Sequence, residues 1–314
     1  MMWAALPVRG TARATSSSTS AWWALTLAYY VSCCLMHLQF SLWLVRQRDT
    51  LLGRMAYADA MPGLVIGGAA ALFLWLAIRL RNSARPRLTV AFWLLWLAAV
   101  ALIDRYLTYS VNEYAHYPEY ALLAWLVARA MDPQRTLWYV GRVLFWTTLL
   151  GMGDELLQYT WITTSYSEYL DFNDFVTNLV AAAAGVLLYY GTAAPSPRHD
   201  RRSKPVVESG VAIALALVVA AGLLSGHVVQ TPATKIPPGG IVLRADGHRQ
   251  LYLQRGPDFY GAWQSSQRHE RYYVLPPLPG LFIMLMVGLT FAGYGRKTWQ
   301  VRGSCAIQAQ ATAP

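Results

Sequence analysis

Long apolar runs, separated by shorter polar segments, dominate the chain from residue 21 to residue 295. A helix needs about 20 predominantly apolar residues to cross the hydrocarbon core of a bilayer. Eight runs come close to that length: 21–45, 61–79, 88–104, 112–131, 137–157, 173–191, 209–227 and 277–295. The pattern therefore predicts an all-α integral membrane protein, a bundle of about eight transmembrane helices.

The composition supports this prediction. Hydrophobic residues make up 55% of the 314 positions and charged residues only 13%, whereas a soluble domain carries about 25% charged residues. The formal net charge is +10, which in a membrane protein usually reflects residues that anchor its cytoplasmic side. We therefore expect the lipid bilayer, and no nucleic acid, as the partner of this surface.

The basic residues also predict the orientation in the membrane, because cytoplasmic segments are enriched in Lys and Arg. If the N-terminus is cytoplasmic, 16 of the 26 basic residues lie inside. They are Arg9, Arg13, Arg79, Arg81, Arg85, Arg87, Arg129, Arg135, Arg142, Arg198, Arg201, Arg202, Lys204, Arg296, Lys297 and Arg302. The sequence thus predicts a multi-pass protein of the bacterial inner (cytoplasmic) membrane with both termini in the cytoplasm.

The chain divides into five segments on this interpretation. Residues 1–87 form an N-terminal cytoplasmic segment with two transmembrane helices, and 88–191 form a four-helix core. Residues 192–227 are a cytoplasmic linker with one helix, 228–276 an extracytoplasmic β-rich loop, and 277–314 the last helix with a cytoplasmic tail. Within the loop, "GGIVLRADGHRQLYLQRG" alternates around Asp246-Gly247, which is a two-residue hairpin signal, and "RYYVLPP" suggests a third strand.

Unusual polar residues lie at the predicted outer ends of four consecutive spans, of which the third span ends at Asp104. One set, at the start of the fourth span, is Glu113, His116, Glu119 and Tyr120; Glu113, His116 and Tyr120 have the spacing of one helical face. The stretch "GMGDELLQ" ends the fifth span with Asp154, Glu155 and Gln158, and the sixth begins with Asp174 and Asn178. Because short connections make these helices antiparallel neighbours, we expect the side chains to converge on one outward-facing site.

These residues resemble the VanZ-like family of bacterial membrane proteins in order and spacing. The matching blocks are "EYAHYPEYALLAWL" (Glu113, His116, Glu119, Tyr120), "GMGDELLQ" (Gly151, Asp154, Glu155, Gln158) and "DFVTNLVAAAAG" (Asp174, Asn178, Gly185). The resemblance covers about residues 88–190. It implies a role in the cell envelope, associated in the family with glycopeptide resistance, without naming a reaction. The Pro-Gly-Arg-type turn that usually follows the Gln is missing from "YTWITTSYSEYL".

Three functions fit the predicted site. A binding protein would hold a lipid-linked or cell-wall ligand there. An enzyme would use His116 with the carboxylates for acid/base or metal-assisted chemistry. A proton- or cation-coupled transporter also uses intramembrane acids, but the broken helices and paired halves of such folds are lacking. The simplest alternative is that these acids are solvated helix ends. The sequence names no cofactor and no metal site.

Overall fold

The computed structural model describes residues 12–47, 61–81, 83, 86–162, 170–192, 205–230, 242–243, 249–253 and 263–311. This part of the chain is mostly helical. Its eight α-helices are α1 (Ala12–Gln47), α2 (Met61–Leu80), α3 (Pro86–Tyr106), α4 (His116–Met131), α5 (Val140–Leu157), α6 (Phe172–Gly191), α7 (Val206–Ser225) and α8 (Pro277–Ala311). Each predicted span coincides with one helix, so the all-α architecture is confirmed.

Four of the described helices are long and apolar enough to cross a membrane. They are α3, α6, α7 and the Pro277–Gly295 part of α8. Such helices indicate a membrane protein. The other four predicted spans and the direction in which the chain enters the bilayer stay predictions.

Helix α6 forms the centre of the bundle and is almost entirely buried. It packs against α3, α4, α5 and α8, with α4 as its most extensive neighbour. The run Ala181–Ala184 followed by Gly185 makes α6 thin on every side at this level, because five consecutive residues go once round the helix. Small side chains let two helix backbones approach closely. The burial of α6 therefore follows from its small residues and not only from its hydropathy.

The remaining helices lie around this core. Helix α1 packs on α4 and touches α5, with Trp22 edge-on to Trp125 and Arg129 above the Trp22 ring. Helices α2 and α7 expose large apolar side chains such as Leu74 and Leu217, as expected of helices that face lipid. At its N-terminus α7 is held to α5 by Glu208.

One end of the bundle, which we call the polar end, gathers the features predicted to lie outside. The carboxyl ends of α3 and α5 meet the amino ends of α4, α6 and α8 there. A 3₁₀ turn, Val111–Ala115, connects α3 to α4, and a π-helical turn, Gln158–Ile162, follows α5. The polar start of the predicted fourth span therefore precedes the α-helix, which begins at His116.

Short strands cover the polar end. They are β1 (Val228–Val229), β2 (Val242–Leu243), β3 (Arg249–Tyr252), β4 (Trp263–Ser265) and β5 (Arg271–Tyr273). Strand β3 pairs in parallel with β1 and antiparallel with β2, and β4 pairs antiparallel with β5. The sheet of β3 is fixed to the bundle because Leu170 N donates to Tyr252 O over 3.2 Å.

The strand pattern differs from the sequence prediction in two details. Leu243 faces Arg249, which leaves residues 244–248 between the strands, whereas a two-residue turn at Asp246-Gly247 would place Leu243 opposite Gln250. The predicted turn itself lies outside the described residues. The segment "RYYVLPP" does contain a strand, β5, but this strand pairs with β4 and not with the first hairpin.

Candidate functional site

Three helices bring the predicted polar residues together at the polar end. Helix α4 supplies His116 and Tyr120 from its first turns, α5 supplies Asp154 and Glu155 from its last turn, and α6 supplies Asp174 and Asn178. We call these six residues the His116 cluster. Gly151 permits the close approach, because a Cβ there would lie 3.0 Å from Cε1 of Tyr120 and 3.5 Å from Cβ of Asn178.

His116 lies between two carboxylates. Its Nε2 is 3.9 Å from Oε1 of Glu155, and its Nδ1 is 4.0 Å from Oδ1 of Asp174. The His116 side chain is 7% exposed, against 9% for Glu155 and 23% for Asp174. Both separations exceed the length of a direct hydrogen bond, so the contact is electrostatic or bridged. The ring can accept or release a proton on either side.

The carboxylates of α5 have partners from the two other helices. The Asn178 Nδ2 donates to Glu155 Oε1 over 3.1 Å, and the Tyr120 hydroxyl donates to Asp154 Oδ2 over 2.6 Å. Helix α1 adds Cys34 and Tyr30 beside Asp154. Within the described part of the chain, no Lys or Arg pairs with Asp154 or Glu155. Both carboxylates therefore accept hydrogen bonds from neutral donors, and Glu155 also lies beside His116.

Two buried acceptors of the cluster accept no hydrogen bond from the described residues. They are Oδ1 of Asn178 and Oδ1 of Asp154, in residues that are only 2% and 1% exposed. A buried polar group without a partner costs free energy. The cluster is therefore short of hydrogen-bond donors.

Glu113 lies near the cluster, but its carboxylate stabilises the turn between α3 and α4. Its carboxylate accepts hydrogen bonds from the backbone N–H groups of Tyr109 and Ser110, each over 3.0 Å, and so ties the 3₁₀ turn to the end of α3. Burial raises the pKa of Glu113 well above its usual range, and the negative charges of Asp174 and Asp171 raise it further. Glu113 precedes α4 and does not share an α-helical face with His116.

Two further predicted site residues are Glu119 and Gln158. The Glu119 carboxylate is on the side of α4 that faces α1, beside the Cys33 thiol, while Tyr29 donates to the Glu119 carbonyl over 3.1 Å. Gln158 is half-buried and begins the π-helical turn, and its backbone N–H bonds to the carbonyls of Asp154 and Glu155.

Asp171 is the N-cap of α6, and its carboxylate accepts a hydrogen bond from Asn173 N over 2.8 Å.

Asn173 is a site-forming residue that the sequence reasoning missed. Its Nδ2 donates to the carbonyls of Leu107 and Tyr273, both over 2.9 Å, and its Oδ1 accepts from Leu275 N over 2.8 Å. One buried side chain thus joins the end of α3, the start of α6 and the segment that leads into α8. It fixes the position of its neighbour Asp174.

A second set of contacts that the sequence reasoning missed connects the β4–β5 hairpin to the polar end. Asp104 at the end of α3 accepts a hydrogen bond from Tyr114. It also pairs with Arg268 (Nε to Oδ1, 3.3 Å) and His269 (Nε2 to Oδ2, 3.2 Å). Arg268 Nε also donates to the Tyr114 hydroxyl over 2.7 Å. The long loop therefore supplies the counter-charge for Asp104.

The residues of the cluster do not form a metal centre of ordinary composition. In the part of the chain that the structure describes, no group of three or more His, Cys, Asp or Glu side chains is arranged to hold a metal ion.

Comparison with known proteins does not extend the interpretation. No family model matches the chain, and neither a curated protein nor a solved structure does. The resemblance to the VanZ-like family stays a prediction from the residues.

Proposed function

We propose that the protein acts in the cell envelope, as a VanZ-like protein of the bacterial cytoplasmic membrane that binds a lipid-linked or cell-wall ligand at the polar end. The observation that carries this proposal is the position of His116 between Glu155 and Asp174, contributed by three different helices. With both termini in the cytoplasm, the His116 cluster opens to the outer side, where cell-wall ligands are found.

The energetics of the cluster support a functional site over a purely structural one. A carboxylate inside a membrane helix costs about 2.5–3.5 kcal/mol at the centre of the bilayer and less toward the interface. Apolar side chains of similar volume often give equal or better stability than a buried charged group. Asp154 and Glu155 are 1% and 7% exposed, so their burial is costly, and this cost favours a functional role for them.

The positions that match the VanZ-like pattern are the reason why the proposal places the protein in the cell envelope. Residues of all three matching blocks of the VanZ-like pattern, among them His116, Glu155 and Asn178, meet in one cluster. Gly185 of the third block lies against Ala121 and Ala124, where α6 contacts α4. Residues that match a pattern at long sequence separation and also meet in space are more informative than the pattern alone.

An enzyme at the same site is the second candidate. The observation that favours it is that each nitrogen of the His116 ring faces a carboxylate, an arrangement suited to moving a proton from one side of the ring to the other. Such an enzyme would use His116 as general acid or base. A stoichiometric divalent metal in the purified protein would favour metal-assisted chemistry over simple binding.

The proposal is tested by removing charge from the cluster. We expect Glu155→Gln and His116→Ala to abolish the envelope phenotype, measured as glycopeptide sensitivity, while the amount of protein in the membrane stays near normal. Glu270→Gln is the matched control because Glu270 is exposed at the same end of the bundle. Full activity of both cluster variants would contradict the proposal, and loss of the protein itself would show a structural network instead.

A further inference from the structure

We infer that a groove between α3 and α8 binds a membrane phospholipid with an anionic headgroup. The groove lies in the half of the bundle away from the polar end, between the start of α3 and the Leu289–Gly293 part of α8. It is a second site, and its assignment does not rest on the proposed function. An acyl chain of the lipid lies in the groove, and the headgroup meets Arg87 where α3 begins.

The lining of the groove suits a hydrocarbon chain. Its volume is about 480 Å³, and most of its lining residues are apolar, such as Leu95 of α3 and Leu289 of α8. These two side chains are 43% and 60% exposed, so the groove opens to the outside of the bundle. The Thr290 hydroxyl also lines it but already donates to the Met286 carbonyl over 2.7 Å. The groove therefore offers apolar surface and little hydrogen bonding.

The floor of the groove is held in place by contacts between the two helices. The Phe92 ring lies edge-on to the rings of Phe291 and Tyr294, with centroids 5.8 Å and 5.1 Å apart. The Thr89 and Tyr294 hydroxyls are hydrogen-bonded over 3.0 Å. These contacts join α3 to α8 beside Leu88 and Gly293, which line the groove. The groove is therefore formed before any ligand binds.

The size of the groove favours an acyl chain over a helix. A helix about 10 Å wide fills about 420 Å³ in each turn of 5.4 Å. A groove of about 480 Å³ therefore holds little more than one helical turn. From Leu88 to Leu95 the groove follows α3 for about 10 Å at 1.5 Å per residue. A slender and flexible acyl chain can fill this space, whereas a helix of a partner could only lie across it.

Basic residues at the mouth of the groove select the headgroup. Arg87 is exposed in the first turn of α3 and shares a helical face with Ala91, a lining residue one turn further along. On α8, Arg296 and Lys297 follow Gly293 by three and four positions. The segments 61–103 and 271–314 contain no Asp or Glu. Guanidinium and ammonium groups bind phosphate, so this mouth is complementary to a negatively charged headgroup.

The acids of neighbouring helices do not cancel this charge. The described acids at this end of the bundle are Asp132 and Glu208, which are 2% and 6% exposed. Asp132 accepts a hydrogen bond from the Thr136 N–H over 2.7 Å, and Glu208 pairs with Arg142 over 2.6 Å. Neither presents an exposed negative charge. Basic pockets between transmembrane helices are typical binding sites for anionic lipid headgroups, and the groove has this composition.

The test compares two lipids with identical acyl chains, dioleoyl phosphatidylglycerol and dioleoyl phosphatidylcholine. Thermal unfolding of the purified full-length protein in a mild detergent is measured at increasing mole fractions of each lipid. A ligand that binds only the folded state raises the unfolding temperature as it fills its site. We expect a saturable rise that is larger with phosphatidylglycerol. Equal rises with the two lipids, or no rise with either, would overturn the inference.

Two variants separate the headgroup from the acyl chain. Arg87→Gln should weaken the apparent affinity for phosphatidylglycerol about fivefold and leave the response to phosphatidylcholine unchanged. Gly293→Leu should weaken the response to both lipids, because the new side chain fills the groove. A Cβ on Gly293 meets no atom within 4 Å, so this substitution does not overpack the contact between α3 and α8.

Each variant has a matched control. Arg105→Gln removes the same charge from an exposed position at the other end of α3, and Gly288→Leu adds the same side chain at another open position of α8. Both controls should respond to the two lipids as the wild type does. The inference is overturned if either groove variant responds as its control does. It is also overturned if native mass spectrometry shows a wild-type dimer that Gly293→Leu dissociates, since the groove would then hold a second copy of the chain.

Discussion

Gly185 of α6 lies against the backbone of Ala121 in α4, so close that a Cβ on Gly185 would be 2.0 Å from the Ala121 carbonyl oxygen and 2.9 Å from the Ala124 Cβ. The contact sets the spacing of two helices that carry His116 and Asp174. The side chains of His116 and Asp174 face each other at the polar end of the same two helices. A change in the helix spacing at Gly185 would therefore also move the residues of the His116 cluster.

The first prediction concerns this contact. Gly185→Ala should destabilise the protein by about 1–3 kcal/mol or more, because overpacking against backbone cannot be relieved by a side-chain rotation. Gly288→Ala is the control, since no atom lies within 4 Å of a Cβ there and an alanine favours a helix by up to about 1 kcal/mol. Thermal unfolding in detergent measures both. Equal stability of the two variants would show that α4 and α6 are not held together at Gly185.

Asn173→Ala should destabilise the fold more than most single polar substitutions. The variant leaves the carbonyls of Leu107 and Tyr273 and the N–H of Leu275 without their partner, and each buried unsatisfied group costs about 1–3 kcal/mol. We expect a loss on the order of 3 kcal/mol or more in the free energy of unfolding. Asn173→Asp should be intermediate, because it keeps the acceptor and loses both donors.

Thr177→Val serves as the control for Asn173. Thr177 is buried one turn further along α6, and its hydroxyl makes a single bond to the Asn173 carbonyl within the same helix. Its removal should cost less than about 1 kcal/mol. If Thr177→Val were as damaging as Asn173→Ala, the effect would belong to α6 in general and not to the three-way joint.

Hydropathy located the helices but not how they meet. The eight apolar runs predicted eight helices because a run of this length and composition has few other stable states near a membrane. The spacing of His116, Glu155 and Asp174 predicted their proximity because consecutive helices with short connections are antiparallel neighbours. Both inferences use only residues that are close together in the sequence, either within one apolar run or in consecutive helices.

The contacts that the sequence did not predict are of long range or have ambiguous local signals. Asn173 lies between Asp171 and Asp174 and resembles an ordinary helix-start residue until its partners 66 and 102 positions away are known. Asp104 and His269 are likewise 165 residues apart. Glu113, in contrast, has a clear local signal. Ser110-x-x-Glu113 is a recognisable capping-box pattern, which indicates that Glu113 caps the 3₁₀ turn and does not lie on the α-helix that follows.

Glu113 predicts a pH dependence. Burial and the neighbouring acids raise its pKa in the folded state, so folding favours the protonated form. The resulting stabilisation is fully present below the unfolded-state pKa and is lost as the pH rises through the folded-state pKa. Glu113→Gln imitates the neutral form and keeps an acceptor oxygen. The variant should therefore match the wild type in acid and become the more stable of the two as the pH rises.

The measurement is the difference in unfolding temperature between Glu113→Gln and wild type at a series of pH values between about 5 and 8. Titrating groups that do not interact with Glu113 cancel in this difference because both proteins contain them. The same difference for Glu270→Gln should stay constant with pH. A difference for Glu113 that is constant or falls with rising pH would contradict the assignment of a raised pKa.

Glu208 should be the residue that holds α7 to the bundle. Its Oε1 accepts from Arg142 Nε over 2.6 Å and from Trp146 Nε1 over 3.0 Å, while most of α7 is exposed. Breaking a buried pair by removing one partner is costly, whereas replacing both partners by apolar groups often is not. Arg142→Met should therefore destabilise the protein more than Arg142→Met combined with Glu208→Leu. Additive losses in this double-mutant cycle, measured by thermal unfolding, would argue against the pair.

The last prediction concerns the orientation on which the outer-side site depends. The distribution of basic residues predicts that a reporter fused within 198–204 is cytoplasmic and that one fused near Asp246 is external. These two positions are separated by α7, which is one of the helices able to cross a membrane, so their reporters should read opposite sides. An alkaline phosphatase fusion, active only outside, paired with a fluorescent protein fusion, active only inside, measures both. The reverse pattern would place the His116 cluster in the cytoplasm, and a cell-wall ligand could then no longer reach it.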